Sequence, residues 1–207
     1  MVAVDAETIV KQALTLLKQE GLTGVTFRRL TTSLQVKAPA IYWRFNDKQE
    51  LLEAMAEAIL QEQFAELAPL PPGQSWRPWL AAIFHRLRQA MLAYPDGARV
   101  VAGARPPGTP TLARIAEHAL RALEDRDLPL AEAANIVFTG THYTFGHVIE
   151  EQDSAGAHTM DTQTAEQFTR TFPTIARALA EGRRTGLTPD DIFNAGVSLI
   201  IGDRDMR

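Results

Sequence analysis

The stretch Val25 to Leu52, VTFRRLTTSLQVKAPAIYWRFNDKQELL, constrains this chain more than any other. It reads as two short helices across a tight turn, followed by an aromatic-basic cluster that opens a third helix. The first helix is expected to start after Thr26, whose hydroxyl can cap the free amides of Phe27, Arg28 and Arg29. It carries Phe27, Leu30 and Leu34 at helical spacing. Ser33 to Lys37 reads as the turn. A second short helix is expected from about Ala38, with Pro39 in the first turn, where its missing N–H costs no intrahelical bond. Asp47 and Glu50 make a capping-box-like start for the next helix and place Lys48 among exposed N-terminal amides, where an anionic phosphate fits. Few folds other than a helix-turn-helix that reads DNA need this order of parts.

Facing a duplex, such a head would present Arg28, Lys37, Ala38, Pro39, Ala40, Tyr42, Trp43, Arg44 and Lys48. Ala38 and Ala40 let the backbone approach a groove floor closely but offer only apolar contacts, such as to a thymine methyl. The N-terminal fifty residues resemble the DNA-binding domain of the tetracycline repressor (TetR) family. In that family a short recognition helix ends in a Tyr-Trp or Tyr-Tyr pair, then a basic or polar residue, with a lysine at the next helix start. Tyr42, Trp43, Arg44 and Lys48 stand in those positions. GQSWRPWL at 73 to 80, YPDGARVVAGARP at 94 to 106 and THYTFGHVIEEQ at 141 to 152 extend the resemblance through most of the chain. It implies an all-α protein: a three-helix helix-turn-helix head (1–48) and a larger helical ligand-binding and dimerisation domain (49–207), linked by a connecting helix at about 47–67.

Composition agrees with a head that touches phosphate and a body that does not. Residues 1 to 50 carry seven Lys or Arg against five Asp or Glu, leaving fourteen against twenty for the remainder of a chain of net charge −4. There is no cysteine, which excludes a disulfide scaffold and thiolate metal or redox sites. No apolar run reaches membrane-spanning length and no signal-peptide pattern is present, so a cytoplasmic protein without membrane partners is expected.

Every other segment with usable periodicity is helical. Asp5 to Glu20 carries Ile9, Ala13, Leu14, Leu16 and Leu17, with Gly21 as a stop. Pro69 to Gln74 reads as a linker, and Ser75 can cap a helix running to about Leu92. Pro95-Asp96-Gly97 and Arg105-Pro106-Pro107-Gly108 read as breaks flanking a short helix that ends near Gly103. Further helices are expected at about Thr111–Glu124, Pro129–Gln152, Thr164–Glu181 and Pro189–Ile201, with a mobile loop from Asp153 to Asp161.

On the Pro129–Gln152 helix, Ala133, Gly140 and Thr144 leave room for another helix, while Phe145, Val148 and Ile149 supply bulk. Beside the last helix, with Ile192, Val197, Leu199 and Ile200, it resembles the family's dimerising four-helix bundle. The alternative is that these are ordinary core helices of a monomer. His142, His147 and Glu150 invite a metal reading, but His142 and His147 lie about 140° apart around a helix and do not converge. With no HExxH pattern, no GxSxG elbow and no strand to present one, an enzyme is not expected.

In the family's tetracycline-responsive member the pocket holds a drug–magnesium chelate through two histidines, an asparagine, a glutamine, an Arg-Pro break and a Glu lent by the partner subunit. The resemblance places Arg105, Pro106, His142 and Glu150 in matching positions. It places Phe64, Ile83, Leu87, Val101, Ala104 and Ala119 where a drug-binding histidine, the asparagine, a phenylalanine, the metal-ligating histidine, a threonine and the glutamine would stand. Apolar side chains cannot ligate a hard cation, so neither metal nor cofactor is expected. What remains is an apolar pocket, walled by Phe64, Ile83, Leu87, Val101 and Phe145, with Arg105, His142 and Glu150 as polar anchors. For Phe64, Leu87 and Val101 the competing reading is plain core packing. The sequence is therefore read as a homodimeric transcriptional repressor, bound to a pseudo-palindromic double-stranded DNA operator and released by a small, largely apolar effector. The alternatives are a regulator without small-molecule control, constitutive or answering to a protein partner, and, third, a helical enzyme.

Overall fold

The computed structural model describes residues 4–156 and 161–202, and within them the chain is helical throughout with no strand. Helix α1 (Ala6–Gly24) starts at Asp5, whose carboxylate accepts from the Thr8 amide at 2.7 Å. Gly21 does not end it: with φ 66° the glycine kinks the helix, which runs on to Gly24. Helix α2 (Phe27–Leu34) is capped by Thr26, which accepts from the Arg29 amide at 3.3 Å. It closes on Gln35 in the left-handed region, with the Val36 amide reaching back to the Thr31 carbonyl at 3.1 Å. Helix α3 (Ala38–Tyr42) follows after a three-residue turn, and α4 (Lys48–Phe64) starts at Asp47, which accepts from the Glu50 amide at 2.9 Å.

The body continues with α5 (Trp76–Leu92), α6 (Gly97–Ala102), a single 3-10 turn (Pro106–Gly108), α7 (Pro110–Glu124) and α8 (Leu130–Gly156). Helices α9 (Thr162–Thr171), α10 (Pro173–Thr185) and α11 (Pro189–Ile201) complete it. Two boundaries and one cap differ from expectation. The single helix expected over Thr164–Glu181 is two, because Phe172 precedes Pro173 and the ring of Pro173 excludes helical backbone at the residue before it; Phe172 sits at φ −128°, ψ 63°. Helix α8 runs four residues beyond Gln152, so the first part of the expected loop is helix; residues 157–160 lie outside the described residues. Ser75 stands at the N-cap of α5 without a side-chain bond, its place as a cap unused.

Helix α4 is the axis. One apolar cluster gathers Ile9, Leu17, Val25, Leu30 and Ile41 from the head, Leu51, Met55, Ile59, Leu60 and Phe64 from α4, and Ile83, Leu87, Val101 and Val148 from the body. A second cluster fills the end of the body away from the head, with Leu80 and Phe84 of α5, Leu123 of α7, Val137 of α8, and Phe193, Val197 and Ile201 of α11. The α9–α10 hairpin packs chiefly on itself.

The small residues of α8 correct another expectation. Ala133 and Thr144 are fully buried, and a Cβ at Gly140 would lie 2.1 Å from Cζ of Phe84, so this face of α8 seats α5 of the same chain rather than a second subunit. Val197, expected beside it on the dimer face, is likewise buried within the chain. Small residues open room for a neighbouring helix, and here the neighbour is intramolecular.

Because the Phe84 ring leaves no space, Gly140→Ala is expected to lower unfolding free energy by about 1–3 kcal/mol through overpacking. The loss should be recovered in part in a Phe84→Leu background, as read from urea midpoints at constant slope.

Candidate DNA-reading head and effector core

The head presents one polar-aromatic face. Arg28, Lys37, Ala38, Pro39, Tyr42, Arg44 and Lys48 are exposed, Ala40 is half-buried and Trp43 is 85% exposed. Only Ile41 of α3 is buried, anchoring the short helix so that its other residues point outward. The Phe27 and Tyr42 rings meet edge-on at 5.0 Å, fixing α2 against α3. Of the two adjacent arginines, Arg29 is engaged bidentately by Glu20, while Arg28 stays on the open face. The Arg44 guanidinium reaches the Val4 carbonyl at 3.3 Å. Lys48 opens α4, whose first amides are satisfied by Asp47 and whose dipole favours an anion there.

The expected effector residues divide into two groups. Phe64, Ile83, Leu87 and Val101 come together fully or almost fully buried in the first cluster, with Phe145 half-buried against them. The polar ones do not converge on that core within one chain. Arg105 is mostly exposed and holds the buried carboxylate of Glu53 at 2.5 Å, and Pro106 opens the exposed 3-10 turn. His142 and Glu150 lie on the solvent side of α8. Hydrogen bonding to Arg105 holds the Glu53 carboxyl below its ordinary value of 4.5.

Sequence reading missed the residues that tie head, α4 and α6 together. Asp96, at φ 56° before α6, makes no capping hydrogen bond to its own helix, where it pairs with Arg99 at 3.7 Å; its other oxygen accepts from the Leu22 amide of α1 at 2.7 Å. The approach requires a glycine at 21, since a Cβ there would stand 2.7 Å from the same carboxylate oxygen. Lys18 lies over the Tyr94 ring at 4.5 Å, and the Tyr94 hydroxyl donates to Glu62 at 2.5 Å. At the other end of α6, Gln49 donates to the Gly103 carbonyl at 2.9 Å. From α8, Gln152 donates to the Met91 and Tyr94 carbonyls and accepts from the Ala98 amide, clamping the α5–α6 turn. The clearest sequence sign of this junction was the Pro95-Asp96-Gly97 break itself.

With this geometry in place, two family models account for nearly the whole chain: "Bacterial regulatory proteins, tetR family" over residues 9–55 and "Tetracyclin repressor-like, C-terminal domain" over residues 68–202. The chain belongs to the TetR family. It is thus a DNA-binding transcriptional regulator, and the helix-turn-helix expected from Thr26 to Lys48 is the family's head. It is 35% identical over 201 residues, 97% of this chain and 90% of the relative, to the class A tetracycline repressor protein from transposon 1721 of Escherichia coli. Among solved structures it is similar to a possible TetR family transcriptional regulator from Streptomyces coelicolor A3(2), at TM-score 0.80 and 32% identity over 98% of this chain and all of that one. It is also similar to TetR-Q116A from Acinetobacter baumannii AYE in complex with minocycline, at TM-score 0.74 and 32% identity over 96% and 95% of the two chains. In this TetR-family chain no group of three or more potential metal-ligating side chains gathers among the described residues, and no described helix is long and apolar enough to cross a membrane.

If Lys48 meets a phosphate, Lys48→Ala weakens binding on all DNA sequences and reduces the slope of log affinity against log salt by roughly 0.9. Arg28→Ala, if its fork reaches a guanine edge, costs about 1–3 kcal/mol at one base position and leaves other positions unaffected. Binding titrations at several salt concentrations, on specific and scrambled duplexes, separate the two; an unchanged slope for Lys48→Ala removes Lys48 from the contact surface.

Proposed function

We propose that the protein is a homodimeric repressor that holds a pseudo-palindromic operator with two heads and lets go when a small, largely apolar molecule enters the core beside α6. The observation that carries this reading is the junction around α6. The helix borders the apolar core through Val101 and is tied to the head by Asp96, to α4 by Gln49 and to α8 by Gln152. A ligand lodged against Val101 and the Arg105-Pro106 break would displace contacts on which the head's position depends, and different affinity for two head spacings is what a release mechanism requires.

The dimer face belongs to the outer sides of α8 and α11. Leu199 is 84% exposed, and Ile192 and Phe138 are about half exposed, an apolar stripe at helical spacing that a monomer would leave in water. His142 and Glu150 share that outer side of α8. Their exposure supports a role toward a second subunit, Glu150 in particular as the carboxylate lent across the interface.

The similar protein from A. baumannii is described with minocycline bound. Transfer of such a ligand to this chain is not supported by its donor set. Phe64 and Val101 stand at positions read as those of the metal- and drug-binding histidines, and neither can ligate a cation or pair with a drug's polar edge. Leaving several buried donors and acceptors without partners, at roughly 1–3 kcal/mol each, removes most of a tight affinity.

Two outcomes test the reading. Sedimentation should find a dimer at micromolar concentration and a helical monomer without operator binding for Leu199→Glu, since an unpaired charge cannot be buried in the bundle; wild type sedimenting as a monomer overturns the dimer. Tetracycline with Mg²⁺ should fail to release the operator, while planar apolar compounds release it and Arg105→Ala weakens release more than it weakens operator affinity. Tight, magnesium-dependent release by tetracycline would contradict the pocket assignment. Release by no small molecule, in a protein that binds its operator, would favour a regulator answering to a protein partner.

A further inference from the structure

Away from head and effector core, three helices meet around a buried guanidinium. Arg88 of α5 is 2% exposed, donates to both oxygens of Glu151 of α8 at 2.9 and 2.7 Å, and binds Asp190 in the first turn of α11 at 2.6 Å. It also lies over the Phe193 ring at 5.3 Å. One turn before Glu151 on α8 stands His147, packed against the rings of Tyr143 and Phe193 at 5.5 and 5.2 Å, which stack on each other at 5.6 Å. Its Nε2 is buried with no hydrogen-bond partner, and the nearest carboxylate oxygen, Oε2 of Glu151, is 3.9 Å away and already held by Arg88. The titratable and charged groups facing this imidazole are Glu151 and Tyr143 on α8, Arg88 on α5 and Asp190 on α11. His85 of α5 packs on the far side of Phe193 and is tied to Asn194 at 2.5 Å.

A buried, unpartnered ring nitrogen is tolerable while it is neutral. Once protonated it needs an acceptor, and the only carboxylate within reach is the one that neutralises Arg88. We propose that His147 is an acid-sensitive trigger: its protonation draws Glu151 from Arg88 and so unties α8 from the Arg88–Asp190 pair that holds the start of α11. To come from 3.9 Å into hydrogen-bonding distance of the imidazolium, Oε2 of Glu151 must move off the Arg88 guanidinium, which Asp190 and the Phe193 ring hold in place. Helix α11 carries Ile192 and Leu199, so the effect on assembly rests on the dimer reading above, while the loosening itself does not.

The direction in pH follows from burial. Desolvation by burial, reinforced by Arg88 and opposed by Glu151 and by the backbone carbonyl of Pro189, lowers the folded imidazole below its ordinary 6.5. The unfolded chain therefore takes the proton first. The stability that neutral His147 contributes is complete above about 6.5 and is lost as pH falls from there through the lowered folded value.

The test is hydrogen exchange of the α11 amides, corrected for intrinsic rate, in the full-length protein at pH 7.5 and 5.5, beside sedimentation at the same two values. Wild type should show α11 exchanging about fivefold faster at the lower pH if the fold depresses the imidazole by one unit, and at most about tenfold faster over this interval, and should dissociate in parallel. Neither His147→Gln nor His147→Phe, which cannot titrate, should show this increment. Nuclear magnetic resonance of the wild-type imidazole, which does not depend on either variant folding, should place its midpoint below that of an exposed histidine. Equal pH sensitivity of α11 in wild type and both variants, or a midpoint at or above the ordinary value, overturns the proposal. A wild type that is monomeric at both pH values but keeps the exchange increment would defeat the dimer reading and leave the trigger standing.

Discussion

The apolar seam along α4 is the constraint on which the other features depend. Leu51 and Met55 close the floor of the head, and Ile59, Leu60 and Phe64, farther along the same helix, are the wall of the body's core. Each of these side chains is fully buried, at roughly 1.5–3 kcal/mol of transfer free energy apiece. The head therefore has no independent hinge at its base. Any displacement of α4 within the body must carry α2 and α3 with it, so the four outward residues of α3 can be positioned by events in the core.

Polar contacts give that coupling a direction. Apolar packing tolerates small slides, whereas a carboxylate at 2.7 Å from an amide does not, and Asp96 spends its carboxylate on the Leu22 amide of the head instead of capping its own helix. Gln49, Glu53 and Gln152 make the other connections of α6 and the following turn. The body uses a different device where α5, α8 and α11 meet, the buried guanidinium of Arg88 joining them through Glu151 and Asp190. Removing Glu151 would leave the guanidinium buried and compensated only by the exposed Asp190. The two junctions adjoin on α8, where Glu151 holds Arg88 and its neighbour Gln152 clamps the α5–α6 turn.

Local chemistry was legible in the sequence wherever a single residue decides the backbone. Thr26 and Asp47 cap the helices they were expected to cap, and the helix-turn-helix with its Tyr42-Trp43-Arg44 close identified the family. The break at Phe172 was missed because apolar periodicity across Thr164–Glu181 outweighed one proline whose effect falls on the residue before it. Gly140 misled for another reason: a small residue states that something approaches closely but not whose, and here the neighbour is Phe84 of the same chain. In the site itself, the burial of Phe64, Ile83, Leu87 and Val101 followed from their apolar character, whereas the pairing of Arg105 with Glu53 did not. Contacts such as Leu22 with Asp96, 74 residues apart, leave no periodic trace in a single sequence. They exist only once α1 and α6 are placed by the shared core.

In the proposed dimer, the body fixes the spacing of two heads through α4 and the Asp96 contact. The chain has no cysteine, so one introduced at Gln35, on the turn between α2 and α3, gives a single spin label on each head. The measurement is the label-to-label distance distribution by double electron–electron resonance, for the wild-type background and for Asp96→Ala. The account predicts one narrow maximum in the former, compatible with recognition helices one DNA turn, roughly 34 Å, apart, and a broadened or displaced distribution in the latter. The same narrow distribution in both proteins, or no intermolecular distance at all, would contradict it.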